Sequence, residues 1–150
     1  MKVRDVMMTD VITISPHTTY EEAVRLLWDH RHTGFPVLDE NNTIVGILSE
    51  KHLFRAMYPQ YEEFMDAPHE HFLTQEDREE RLKDLRSRPV ADFMSTDVVT
   101  IHPEAPIMSA GGIMLARNFY RLPVVEDGAL IGLVTRKHIF GQILQYQLGL

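Results

Sequence analysis

The segment Val3-Arg4-Asp5-Val6-Met7-Met8-Thr9-Asp10-Val11-Ile12-Thr13-Ile14-Ser15-Pro16 returns as Val90-Ala91-Asp92-Phe93-Met94-Ser95-Thr96-Asp97-Val98-Val99-Thr100-Ile101-His102-Pro103, with nine of fourteen positions identical at an offset of 87 residues. The same offset pairs Ala23 with Ala110 and Phe35-Pro36-Val37-Leu38 with Leu122-Pro123-Val124-Val125. After a one-residue deletion, an offset of 86 pairs Gly46-Ile47-Leu48-Ser49-Glu50-Lys51-His52-Leu53-Phe54 with Gly132-Leu133-Val134-Thr135-Arg136-Lys137-His138-Ile139-Phe140. Three collinear blocks make this an internal duplication. Each copy is about 50 residues, marginal for a fold of its own, so the two are expected to share one core about a pseudo-twofold axis.

Within a copy the order reads strand, helix, strand, strand, helix. Val11 to Ile14 is a β-branched run that ends at Pro16. Thr18 with Glu21, or Thr19 with Glu22, offers a capping box, and Tyr20, Ala23, Val24 and Leu27 follow at helical spacing, with Gly34 as the expected C′ residue. Phe35 to Leu38 and Ile44 to Leu48 flank a polar turn, and Ser49 caps a second helix expected to run to about Tyr58. In the second copy Pro106 stands near N1, Ile107, Ala110, Gly111 and Met114 fall at helical spacing, and Glu126-Asp127-Gly128 is the hairpin. Gly111-Gly112 inside that helix costs about 1 kcal/mol per Gly relative to Ala. Close helix packing is the first explanation, backbone approach to a ligand the second.

Residues 55 to 89 belong to neither copy. Gln75 to Arg88 is the helical piece, with Glu79 and Lys83, and Asp84 and Arg88, as i,i+4 pairs on a solvated face. Tyr58, Tyr61, Phe64 and Phe72 are too apolar for a free linker and are expected to pack on the repeat or on a second subunit. The division is therefore 1–54 as the first motif, 55–89 as a charged helical linker, and 90–150 as the second motif with a C-terminal helix. The fold class is α+β (α/β-like), with two βαββα motifs packed pseudo-twofold around a helical insertion.

Composition narrows the function. With 44% hydrophobic and 25% charged residues the 150-residue chain reads as globular, and its net charge of −7 disfavours nucleic acid and anionic membrane surfaces as partners. No stretch approaches the roughly 20 apolar residues of a membrane span, and the charged start predicts a cytoplasmic protein. The absence of Cys removes disulfides, thiol chemistry and Cys-based metal sites. No phosphate-binding Gly-Lys-Ser/Thr loop, Gly-x-Ser-x-Gly elbow or His-Glu-x-x-His pair is present, and the acidic pairs Glu21-Glu22, Glu62-Glu63 and Glu79-Glu80 read as solvated faces, so no enzyme is expected.

The order of Asp-hydrophobic-Met, then hydrophobic-Pro-Val, then Gly-hydrophobic-hydrophobic-Ser/Thr opening a helix, occurring twice, resembles the cystathionine-beta-synthase (CBS) domain over residues 3–54 and 90–140. That resemblance implies a tandem pair with two clefts between its motifs, sensing adenosyl ligands such as AMP, ADP, ATP, S-adenosylmethionine or NAD. It also implies a homodimer and regulation of an effector protein. The implied binding residues in the first copy are Thr13, Phe35, Pro36, Val37, Ser49 and His52. In the second they are Thr100, Arg121, Leu122, Pro123, Val124, Thr135, Arg136, Lys137 and His138.

Ser49 and Thr135 at helix N-termini suit anions and also act as plain caps. His52 and His138 stand where the family usually has an Asp that takes both ribose hydroxyls; a neutral imidazole has one acceptor nitrogen. Arg121 matches a phosphate-binding position, whereas the first copy has Gly34 there, so the second site is the stronger candidate. Two alternatives stand beside this: an interaction module without a nucleotide, and His-based metal binding through His30 and His32 or through His69-Glu70-His71, although His-x-His suits a strand better than a helix.

Overall fold

A computed structural model describes residues 1–58 and 74–150. The segment in between includes Tyr61, Phe64, Phe72, Glu62-Glu63 and His69-Glu70-His71, so the expectations placed on them lie outside the described residues. The described elements are α1 (Tyr20–His30), β1 (Gly34–Leu38), β2 (Ile44–Ser49), α2 (Glu50–Ala56), α3 (Gln75–Leu85), α4 (Ile107–Ala116), β3 (Arg121–Glu126), β4 (Ala129–Thr135) and α5 (Arg136–Leu148). Short 3-10 turns stand at Val3–Asp5 and Val90–Asp92. None of the described helices is long and apolar enough to cross a membrane.

The chain forms two compact units, and neither is a continuous stretch. One comprises Met1–Ile12, Glu40–Ile44 and Val98–Leu150; the other comprises Thr13–Asp39 and Val45–Asp97. In the first unit Val3, Ile101, Ala110, Met114, Leu122, Val124, Val134 and Ile139 build the core. In the second unit the repeat-equivalent Val90, Ile14, Ala23, Phe35, Val37, Leu48 and Leu53 are likewise buried, together with Tyr20 and Leu85. The opening turn of each copy is thus buried with the body of the other.

The backbone bonds repeat accordingly. Val3 N–H donates to Ala105 O (2.9 Å) and Met8 pairs both ways with Leu133 (2.9 Å), while Val90 N–H donates to Thr18 O (2.8 Å) and Ser95 pairs both ways with Ile47 (2.9 Å). Gly46 and Gly132 make this pairing possible. A Cβ on Gly132 would stand 2.7 Å from Met7 Sδ, and one on Gly46 would stand 2.5 Å from Met94 Sδ.

Each unit holds a two-stranded sheet, β1 with β2 and β3 with β4. β3 and β4 are antiparallel, with Arg121 opposite Thr135, Leu122 opposite Val134 and a bulge after Val124. Asp127 and Gly128 both take positive φ (50° and 80°) in the tight turn between them. The expected opening strand at Val11 to Ile14 is reduced to a single parallel bridge from Ile14 to Val37, matched by Ile101 to Val124. Ile14 N–H reaches Pro36 O (3.1 Å) and Leu38 N–H reaches Ile14 O (2.9 Å), after which Pro16 turns the chain away.

Helix α1 begins with the Thr19–Glu22 capping box, and Tyr20 and Ala23 face the core. It stops before Gly34, because Arg31 takes the left-handed conformation (φ 52°) and donates its N–H back into the last turn; Gly34 opens β1 instead. Pro106 occupies the N-cap position of α4 rather than N1, and α2 ends at Ala56. Helix α3 is shorter than expected. Arg88 lies beyond its end and pairs with Asp92 (3.1 Å) rather than Asp84. Nor is α3 wholly a solvated spacer, since Leu85 is fully buried and Arg86 makes a two-pronged ion pair with Glu21 on α1, both bonds 2.9 Å.

Candidate functional site

The implied residues of the second copy gather within one unit. Thr100 is exposed immediately before Ile101, whose bridge to Val124 lays that segment beside β3. Arg121 at the start of β3 faces Thr135 at the end of β4, and Thr135 is the N-cap of α5, accepting His138 N–H on its Oγ1 (3.3 Å). Burial lowers the pKa of the Arg121 guanidinium from its ordinary value. Lys137 is exposed on the first turn of α5. The first-copy residues gather the same way in the other unit: Thr13 precedes the Ile14 bridge to Val37, and Ser49 ends β2 and begins α2 with His52 three residues on.

The apolar members of the set lie inside. Phe35, Val37, Leu122 and Val124 are fully buried and Pro36 nearly so, so their side chains fill the cores, and what they turn toward the neighbouring segment is main chain. Thr13 borders a cleft of about 480 Å³ that also takes in Ser15, Thr18, Glu22 and Asp29.

The two histidines differ. Ser49 donates its N–H to His52 Nδ1 (3.1 Å), so this imidazole completes the helix cap as a Glu would in a capping box. His138 Nδ1 is buried and has no hydrogen-bond partner among the described residues. Burial, reinforced by the Lys137 charge, holds the His138 pKa below its usual value, which keeps the ring neutral. A buried ring nitrogen without a hydrogen-bond partner costs free energy until one arrives.

Arg136 has a role that the repeat did not disclose. Its Nε donates to Phe119 O (2.7 Å) and its Nη2 to Met114 O (3.0 Å), and the guanidinium lies over the Tyr120 ring at 4.3 Å from the centroid. It closes the C-terminal end of α4, where free carbonyls and the helix dipole favour a cation. The first copy has Glu50 at the equivalent position, so only an uncompensated charge difference between the copies hinted at this.

His30 and His32 stand edge to face with ring centroids 6.0 Å apart, and His32 stacks on Phe35 at 5.8 Å. Among the described residues no group of three or more His, Asp or Glu side chains could hold a metal ion.

The CBS domain family model matches residues 3–59 and 90–145. CBSX1, a chloroplastic CBS domain-containing protein of Arabidopsis thaliana, is 30% identical over 149 residues, which cover 91% of this chain and 60% of CBSX1. A CBS domain-containing protein of Dictyostelium discoideum is 31% identical over 144 residues, covering 95% of this chain and 91% of that protein. Among solved structures, CBSX2 in complex with AMP is 26% identical with a TM-score of 0.73, covering 97% of this chain and 98% of that one.

Proposed function

Since the chain belongs to the CBS domain family, we propose that it is a regulatory, non-enzymatic CBS pair that binds an adenosyl ligand, AMP, ADP, ATP or S-adenosylmethionine, and thereby alters its contacts with a second copy or an effector protein. The observation that carries this reading is the gathering of Thr100, Arg121, Thr135 and His138 at one end of the β3–β4 hairpin. The donor and acceptor set there fits such a ligand. Arg121 offers paired N–H donors to phosphate oxygens, and the partnerless Nδ1 of neutral His138 offers an acceptor to one hydroxyl. The likeness to CBSX2, whose structure holds AMP, supports the ligand class.

In this proposal Arg121 binds and orients phosphate, and His138 reads a single hydroxyl. A neutral imidazole leaves the second hydroxyl of a ribose to other groups. Thr13, Ser49 and His52 form the weaker counterpart, because Gly34 stands in place of an arginine and His52 Nδ1 already accepts from Ser49. Ligand binding can regulate only if it favours one arrangement of the protein over another.

Thermal melts of the metal-free protein against AMP, ADP, ATP and S-adenosylmethionine test the reading. At 100 times Kd, native-state binding contributes about 2.7 kcal/mol, a rise of roughly 5 to 11 °C for a chain of this size. The Arg121→Ala variant loses the rise for phosphate-bearing ligands. No rise with any of the four overturns the sensor and leaves an interaction module.

A further inference from the structure

The linker helix α3 and helix α1 leave an apolar groove between them, a cavity of about 450 Å³ whose lining residues all belong to one compact unit. That volume falls within the range of small-molecule sites, roughly 300 to 1,000 Å³. On α1 the apolar wall is Tyr20 and Val24, one turn apart. Tyr20 is 4% exposed and its hydroxyl already donates to Leu53 O (2.8 Å), so it offers the groove only its ring. Val24, by contrast, is 40% exposed, and Leu82 across the groove on α3 is half-buried. The packing of the two helices thus leaves apolar surface uncovered.

The charged rim of the groove is uneven. Glu79, Leu82, Lys83 and Arg86 fall at i, i+3, i+4 and i+7, so one stripe of α3 faces the groove and sets two cations at its C-terminal end. With Arg25 of α1 these make three cations against the carboxylates of Glu21 and Glu79, a local excess of positive charge in a chain of net charge −7. Glu21 engages two of the three, accepting from Arg25 (2.8 Å) and twice from Arg86 (2.9 Å). Lys83 differs. The expected Glu79–Lys83 pair does not form: Glu79 takes a bond from Gln75 Nε2 (3.0 Å), and Lys83 is exposed without an acidic partner among the described residues.

We propose that this groove binds a small amphiphilic anion, a carboxylate whose apolar body lies on Tyr20, Val24 and Leu82 and whose charged end pairs with Lys83. The two parts of the site select this occupant together. An uncharged apolar molecule leaves Lys83 unanswered, a cationic amphiphile meets three like charges, and a bare inorganic anion gains nothing from the wall. A carboxylate on an apolar body covers the open surface and brings the one negative charge that the rim lacks. The site is separate from that of Thr100, Arg121, Thr135 and His138, which belong to the other compact unit, so the protein takes two ligands of different chemistry. Since α1 forms one wall and α3 the other, the occupant also fastens the linker helix to the first motif, beside the Arg86–Glu21 pair.

Methyl NMR of the full chain, following Val24 and Leu82, is the test, with sodium octanoate, octylammonium chloride and sodium acetate as probes. Octanoate shifts the methyl signals of both residues saturably, acetate shifts neither, and octylammonium binds at least about fivefold more weakly than octanoate. Lys83→Met keeps an apolar stem and removes the charge. It lowers octanoate affinity about fivefold and leaves the unfolding midpoint in place, because Lys83 is exposed. Octanoate slows amide exchange in α3 of the wild type, and Val24→Gln, which makes the wall polar, abolishes that effect. No saturable shift at Val24 and Leu82, octylammonium binding as tightly as octanoate, an octanoate affinity indifferent to Lys83→Met, or shifts confined to Trp28 and Phe54 would each overturn the proposal. None of these outcomes touches the adenosyl reading, which the melts with AMP, ADP, ATP and S-adenosylmethionine decide on their own.

Discussion

Met7 Sδ lies where a side chain on Gly132 would begin, 2.7 Å from the Cβ position, with Met8 O at 2.8 Å from it. A sulfur and a carbonyl therefore occupy the space that any other residue at 132 needs. Met94 and Gly46 repeat the arrangement, with Met94 Sδ at 2.5 Å and Ser95 O at 3.1 Å.

Gly132→Ala destabilises the protein by about 1–3 kcal/mol through this overpacking. Gly46→Ala acts in the same direction and costs less, because the nearest backbone oxygen is farther away and a flexible methionine can yield. Urea unfolding of the two variants measures the difference, and an unchanged midpoint for Gly132→Ala would contradict the packing.

Arg136→Ala removes two hydrogen bonds to the carbonyls at the end of α4 and is expected to cost about 1–3 kcal/mol. Arg136→Lys does not restore the loss, since an ammonium cannot reproduce the planar fork that serves Met114 O and Phe119 O together while lying on Tyr120. Thermal unfolding without ligand reads this effect.

His138 gives the fold an acid sensitivity. Its folded-state pKa lies below the ordinary value of 6.5, so the unfolded chain takes up a proton first as pH falls. The stability associated with the neutral ring is fully present above pH 6.5 and declines as pH drops below it. His138→Gln flattens that part of the profile. Proton NMR of the imidazole, compared with the same resonance in the unfolded chain, gives the two pKa values directly.

Glu21 titrates unusually low. Hydrogen bonds from Arg86, then Arg25, bring its pKa from 4.5 to about 2. The folded form favours the ionised carboxylate, so the associated stability is present above pH 4.5 and lost as pH falls toward 2. Arg86→Gln moves the Glu21 titration upward and speeds amide exchange in α3, the helix this pair fastens to α1.

The duplication made the repeated βαββα plan, the hairpins and both buried faces readable, because offsets of 87 and 86 align Val3 with Val90, Ala23 with Ala110 and Leu53 with Ile139. Local conformation was less readable. The left-handed residue ending α1 is an arginine, whereas the pattern favours Gly34, and an apolar run such as Val11 to Ile14 does not disclose that a single residue pairs. At the candidate site the residue types were visible and their circumstances were not. His52 and His138 look alike in sequence, yet one ring receives an N–H from the helix start and the other keeps a buried nitrogen without a donor. Arg136 reads as a basic neighbour of a phosphate site, and only the course of α4 reveals the carbonyls it serves.

The burial of Val3 among residues as distant as Val134 and Ile139 bears on how the chain is made. The Val3–Asp5 turn cannot be covered until the second copy has followed it out of the ribosome, since its bond to Ala105 and its apolar neighbours Ile101 to Ile139 all belong to that copy. That unit closes only after the second copy is made, and severing the chain between the copies would deprive each half of a piece it needs.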